Sequence, residues 1–214
     1  MKHLGEVSTI GEAWISFLKE VDKNGVIKEY SENEIIKEET ALSISIKKAQ
    51  LPDSIIDKYM DKDGYKWMED NFNKQGLVKE LGNARSYASR LYNYLDQKNQ
   101  IDWVINRLNK KPSSCSVTIT TFEPLIDESY IPCISLLDFY VENNKLNLYV
   151  YARSLDWGKK AYANLAMLTK ILEEVSNGTN IEVGGINLYV KLSRIYKPEF
   201  EKVEKILKDY WLSP

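Results

Sequence analysis

Histidine is almost missing from this chain: its 214 residues include one, His3. Ser-His-Asp and Cys-His mechanisms use an interior histidine as base, so the composition argues against both. Cysteine is scarce too, with Cys115 and Cys133 the two present. They are too few for a disulfide framework. They are also too far apart, with no histidines beside them, for a zinc site, so no metal is expected. Neither a Walker phosphate loop nor a GxGxxG motif occurs. The formal net charge is −2, so no basic excess points to nucleic acid or an anionic membrane as partner. No apolar run is long enough for a membrane-crossing helix, and the opening MKHLGEVSTIGEAW lacks the apolar centre of a signal peptide. A reducing cytoplasm is the expected location.

What remains is an ordinary globular composition, 43% apolar and 28% charged. The chain is long enough for one domain with a real core, and no repeat or Pro/Gly-rich linker divides it, so residues 1–214 read as a single domain. Thr9 is placed to cap a helix running to about Lys23, with Trp14, Phe17, Leu18 and Val21 on one face and Gly25 as its stop. Residues 41–47 alternate apolar and polar, the pattern of a half-buried strand. Residues 53–73 are polar and aromatic without a clean period. A helix is predicted around 100–109, with Ile101, Val104, Ile105 and Leu108 on one face.

The second half is richer in strands. A β-branched run spans Ser116–Phe122. Strands Cys133–Val141 and Leu146–Ala152 flank Glu142-Asn143-Asn144, a hairpin turn. A helix follows from Ala161 to Val175, stopped by Asn177-Gly178. Then comes a strand over Ile186–Leu192 and a last helix opened by Pro198, with core face Phe200, Val203, Leu207 and Tyr210. Mixed helices and consecutive antiparallel strands imply an α+β layered fold.

The stretch PCISLLDFYVENNKLNLYVYARSLDWGKKAYANLAML resembles the thymidylate synthase family. That family opens this stretch with Pro-Cys-His, continues through Phe-Tyr-Val, a turn and a strand, and closes with Arg-Ser-x-Asp and an Asn. Cys133, Arg153, Ser154, Asp156 and Asn164 stand at those spacings without a gap. IEVGGINLYVKLSRIY is similar to the family's stretch ending in His-x-Tyr, with Arg194 at the His position and Tyr196 at the Tyr position. YASRLYNY, from Tyr87, is similar to its Tyr-Gly-x-x-x-Arg stretch. The likeness covers residues 87–196.

The resemblance implies the thymidylate synthase fold: a mixed, mostly antiparallel sheet packed with helices, whose free face makes a homodimer. It also implies C5 methyl transfer to dUMP from 5,10-methylenetetrahydrofolate. Cys133 would be the nucleophile, adding as thiolate to C6, and Arg153 would supply charge to depress its pKa. Arg153 and Ser154 would hold the phosphate. Asn164 would read the pyrimidine edge with an amide that both donates and accepts, which favours uracil. Asp156 would contact the folate ring, Tyr196 the ribose, and Tyr87 would order water near the thiol. Taken alone, each has a plainer reading: an inert buried cysteine, a surface arginine, a capping aspartate, a strand tyrosine.

Several positions depart from the family. Its Arg-Arg pair, which reaches into the partner's site, is replaced by Cys115-Ser116, with Lys110 and Lys111 nearby. The residue after the nucleophile is Ile134, and the ribose-contacting His is Arg194, suited to a different anion. Lys159, Lys160 and Tyr162 replace small and apolar residues. No convincing counterpart of the family's catalytic Glu exists, and Glu12 reads as part of an amphipathic helix. Two other functions therefore stand beside the first. One is a pyrimidine nucleotide hydroxymethylase, which would quench the same intermediate with water. The other is a catalytically degenerate homologue that binds nucleotide or serves as a scaffold.

Overall fold

A computed structural model describes residues 1–32, 34–128 and 130–212. The chain opens with β1 (Lys2–Val7), α1 (Ile10–Asn24), β2 (Val26–Ser31) and β3 (Glu34–Ile46). Two helices, α2 (Ser54–Tyr59) and α3 (Lys62–Asn73), precede the short strands β4 (Leu77–Val78) and β5 (Ala84–Arg85). Then come α4 (Tyr87–Tyr92), α5 (Gln100–Lys110) and β6 (Thr118–Thr120). The hairpin β7 (Ile134–Glu142) and β8 (Lys145–Ala152) leads through β9 (Leu155–Asp156) into α6 (Ala161–Thr179). β10 (Glu182–Tyr196) and α7 (Phe200–Leu212) close the chain.

Eight strands form one sheet in the order β1-β3-β10-β8-β7-β6, with β2 added beside β3 and β9 beside β10. Four of its pairings are antiparallel (β3–β10, β2–β3, β6–β7, β7–β8) and three parallel (β1–β3, β8–β10, β9–β10). The α+β expectation therefore holds. Helices α1 and α6 lie on one face. There Leu42, Ile44, Leu146, Leu148, Val150, Ile186, Leu188 and Val190 bury their side chains. The opposite face carries Leu136, Tyr140 and Tyr149 exposed to solvent, and Tyr151 stacked on Tyr189 with centroids 5.5 Å apart. No helix among the described residues is long and apolar enough to cross a membrane.

Local chemistry explains most boundaries. The Thr9 hydroxyl accepts from the Glu12 N–H at 3.2 Å and starts α1, and the chain leaves the helix at Gly25. Asn143 and Asn144 turn the β7–β8 hairpin with positive φ at both, 52° and 63°, the two-residue geometry that matches strand twist. Helix α6 does not stop at Asn177-Gly178 as its sequence suggests, but runs to Thr179 and ends on Asn180 in the left-handed region, φ 55°. Gly178 serves helix packing instead: a Cβ there would lie 2.7 Å from Ile105 Cδ1 of α5.

Other boundaries move too. The strand expected over 41–47 is thirteen residues long, Glu34–Ile46, whereas the Ser116–Phe122 run yields strand over Thr118–Thr120 alone. β10 begins at Glu182, ahead of Ile186. The stretch 53–73 holds two helices, capped by Asp53 and Asp61. On α7 the deepest side chains are Val203 and Ile206, while Phe200, Leu207 and Tyr210 are half-buried.

Candidate active site

The core builds the site's floor. The Phe17 ring stacks on Trp157 at 3.8 Å and 7°, and the Trp14 indole donates to the Trp157 carbonyl at 2.9 Å. Helix α1 thereby fixes the turn 157–160 between β9 and α6. Above it opens a cavity of about 1040 Å³, lined in part by Cys133, Tyr87, Ser154, Asp156, Asn164 and Tyr196. The chain separates these six widely, and the sheet reunites them.

Cys133 sits one residue before β7, held from both sides. Its carbonyl accepts from the Arg153 N–H at 2.8 Å, and the next N–H, of Ile134, donates to the Tyr87 hydroxyl at 3.0 Å. Tyr87 is itself fixed. Its N–H donates to Asn71 Oδ1 at 3.0 Å, and its ring stacks on Phe72 at 4.3 Å. A phenol oxygen that accepts from Ile134 keeps its own proton to donate.

The thiol's ionisation runs against the expectation of a depressed pKa. Burial pushes the Cys133 thiol up, and the opposing pull of Arg153 and Lys160 does not overcome it. Arg153 lies just past β8, half-buried and outside the cavity lining. Its guanidinium donates to the Ile131 carbonyl, through Nε at 2.9 Å and also through Nη2. Among the described residues no carboxylate pairs with it.

Asp156, on β9, brings a carboxylate to the cavity. Burial pushes its carboxyl up to about 6, although Lys160 and the Lys159 N–H, 3.2 Å away, pull it down. Asn164 stands in the first turn of α6. Its Nδ2 donates at 3.3 Å to the Lys160 carbonyl, but its buried Oδ1 has no partner. A buried, unpaired amide oxygen costs free energy unless a ligand donates to it. That oxygen belongs to the same cavity as the Cys133 thiol. Asp156, Lys159 and the Trp67 ring, over which the Lys160 ammonium lies at 4.9 Å, offer polar, charged and aromatic contacts of the kind a folate ring and its acidic tail would use.

Arg194 is not brought to the cavity. Its guanidinium is buried beside Glu38, Nε to Oε2 2.6 Å. In the place of the family's arginine pair, Cys115 is exposed and the Ser116 carbonyl accepts from Arg107 Nε at 2.7 Å. Trp67, Asn71 and Tyr130 also line the cavity and were not singled out by sequence. Trp67 and Asn71 come from α3, where the polar stretch gave no period. Tyr130 stands three residues after Asp127, which a buried ion pair holds to Arg90 at 2.6 Å and 2.7 Å.

The family profile described as Thymidylate synthase matches residues 26–211. A protein of Methanosarcina acetivorans named "Putative thymidylate synthase" is 34% identical over 125 residues, covering 58% of each chain. The present chain thus spans little more than half the length of that relative. Proteins of the same name from Methanosarcina barkeri and Methanothermobacter marburgensis align more fully. They are 28% and 24% identical over 94% and 95% of this chain, and over 92% and 97% of their own. A match that reaches from β2 into the last turn of α7 takes in every cavity residue named above, and the chain belongs to the thymidylate synthase family.

Proposed function

We propose that this chain, acting as one domain, transfers a one-carbon unit to C5 of a uracil nucleotide, dUMP, and reduces it to methyl. The observation that carries this reading is the unpaired Asn164 Oδ1 in the same cavity as Cys133. Uracil N3–H donates to that oxygen, and Asn164 Nδ2 keeps a second hydrogen for O4. Cytosine presents the reverse pattern and leaves the amide mismatched.

With the base so held, the Cys133 sulfur bonds C6 and the electron pair moves to C5 and O4. 5,10-Methylenetetrahydrofolate supplies the one-carbon unit and the hydride when bound. Cys133 must lose its proton as the S–C6 bond forms, and Asp156, whose carboxyl burial pushes up to about 6, lies in the same cavity to take it. Once C5 carries the new carbon, freed from its donor, and has lost its hydrogen as a proton, hydride reaching that carbon would expel the thiolate from C6 and free Cys133. Ser154 and Arg153 serve the phosphate, once the guanidinium turns from Ile131, and Tyr196 serves the sugar. The exposed face bearing Leu136, Tyr140 and Tyr149 pairs two copies in a homodimer. Cytoplasmic placement fits the reduced thiol that this chemistry needs.

Tritium release from [5-³H]dUMP tests the reading. Wild type is expected to release tritium with methylenetetrahydrofolate and Cys133→Ala is not; equal release by both, or none by either, overturns it. Product mass separates methyl from hydroxymethyl transfer. One observation favours a second reading, nucleotide binding without turnover: the thiol is held up by burial while Arg153 is engaged with a carbonyl. That reading predicts dUMP binding with no tritium release.

A further inference from the structure

Helix α6 opens on a residue that helix chemistry disfavours. Its N-cap is Lys160, whose side chain caps nothing. The partial positive charge of a helix N-terminus is adverse to a cation, and Asp, Asn, Ser or Thr would satisfy that end. Lys160 is half-buried, lines the cavity, and holds its ammonium 4.9 Å from the centre of the Trp67 ring. Among the described residues that ammonium makes no hydrogen bond, and no carboxylate pairs with it. The neighbouring cations are placed differently. Lys159 and Lys197 also line the cavity but are exposed. Arg153 is engaged with the Ile131 carbonyl, and Arg194 is paired with Glu38. Lys160 is the unmatched positive charge set into the wall.

The backbone ties Lys160 to Asn164. Its carbonyl accepts from the Asn164 N–H at 3.1 Å and from Asn164 Nδ2 at 3.3 Å. The nitrogen side of the amide therefore adjoins residue 160, while Oδ1 is left without a partner. A uracil whose N3–H meets Oδ1 brings its O4 to that nitrogen side. A carbonyl oxygen accepts two hydrogen bonds, and Asn164 Nδ2 supplies one. As sulfur bonds C6, the C5–C6 electron pair moves towards C5 and O4, so O4 gains negative charge. A donor cation at O4 then favours the transition state over the bound substrate. Against the upward push of burial, the Lys160 charge pulls down both the Cys133 thiol and the Asp156 carboxyl, so its field reaches the reacting groups. The chain's one histidine, His3, lies on β1 and does not line the cavity.

We infer that Lys160 is a catalytic residue whose ammonium donates a hydrogen bond to O4 of the uracil ring and holds the charge that collects there as Cys133 adds. This inference rests on the nucleotide reading above. No proton leaves the ammonium: the thiol proton passes to Asp156, and Lys160 contributes a hydrogen bond and its charge.

Calorimetric titration with dUMP and with 4-thio-dUMP tests the contact. The analogue keeps N3–H but has sulfur, a weak acceptor, in place of O4. Lys160→Met should lower dUMP affinity about 10-fold and leave 4-thio-dUMP nearly unchanged, and Lys160→Arg should partly restore dUMP binding. Tritium release from [5-³H]dUMP tests the charge: Lys160→Met should lose about 100-fold in kcat, more than it loses in binding. Equal weakening of both nucleotides, or a loss confined to KM, overturns the role of Lys160 and leaves the nucleotide reading intact. So does unchanged dUMP binding; if methylenetetrahydrofolate binds more weakly instead, the ammonium serves the donor's carboxylates. Wild type that binds dUMP but releases no tritium overturns the catalytic role. Wild type that binds neither nucleotide overturns the nucleotide reading and this inference with it.

Discussion

The N–H of Ile134 donates to the hydroxyl of Tyr87 at 3.0 Å, joining the strand that follows the thiol to the helix that walls the cavity. Both residues are buried, Ile134 1% and Tyr87 5% exposed. Tyr87→Phe removes the acceptor and strands a buried N–H. The expected loss is about 1–3 kcal/mol of stability, read from the midpoint of urea unfolding. An unchanged midpoint would mean that the N–H finds another partner.

Cys133 and Cys115 are expected to differ sharply towards iodoacetamide. Cys115 is exposed, whereas burial pushes the Cys133 thiol up and away from the reactive thiolate. Peptide mapping at neutral pH should find Cys115 alkylated first. Arg153→Met removes the strongest downward pull on Cys133 and should slow its alkylation further. Faster reaction at Cys133 would contradict the burial argument.

Asp156 links the cavity to pH. Burial raises its carboxyl to about 6 in the folded chain, against about 3.9 when unfolded. Between these values the folded state holds the proton and the unfolded state does not, so stability from this group falls as pH rises from about 4 to about 6. Asp156→Asn should therefore be more stable than wild type by about 1–3 kcal/mol at pH 7 and equal to it near pH 4. Thermal unfolding at the two pH values checks this, and a variant less stable at pH 7 would show that the carboxylate is compensated.

The uncovered sheet face predicts a dimer. Leu136, Tyr140 and Tyr149 are more than a third exposed on it. Light scattering at micromolar concentration should give twice the mass of the 24.8 kDa chain, and Tyr149→Asp should shift it towards the monomer. A monomeric wild type would contradict that role for the face.

Sequence made some of this legible and hid the rest for physical reasons. Strands β7 and β8 were plain because one face is buried and the other is not, which imposes alternation, and the Asn-Asn turn needs positive φ. Gly178 misled because glycine serves close packing as readily as it ends helices, and Ile105 stands against it here. The start of β10 was hidden by Gly184 and Gly185, which carry no side chain to alternate. Helices α2 and α3 leave much of their surface in water, so they showed no clean stripe, although Asp53 and Asp61 stood ready as caps. The family resemblance pointed to Cys133, Asp156 and Asn164, and the fold brings the three to one cavity. The capture of Arg194 by Glu38 was not, because that pairing is made across strands far apart in sequence.

The central claim is that Cys133 adds to C6 of a uracil nucleotide. The most direct measurement is the mass of the protein after incubation with 5-fluoro-dUMP and 5,10-methylenetetrahydrofolate. Fluorine at C5 cannot leave as a cation, so the adduct stays attached to the protein. The account predicts a covalent complex mapped to the peptide containing Cys133 and absent from Cys133→Ser. Wild-type protein that binds the nucleotide yet keeps its unmodified mass would contradict it.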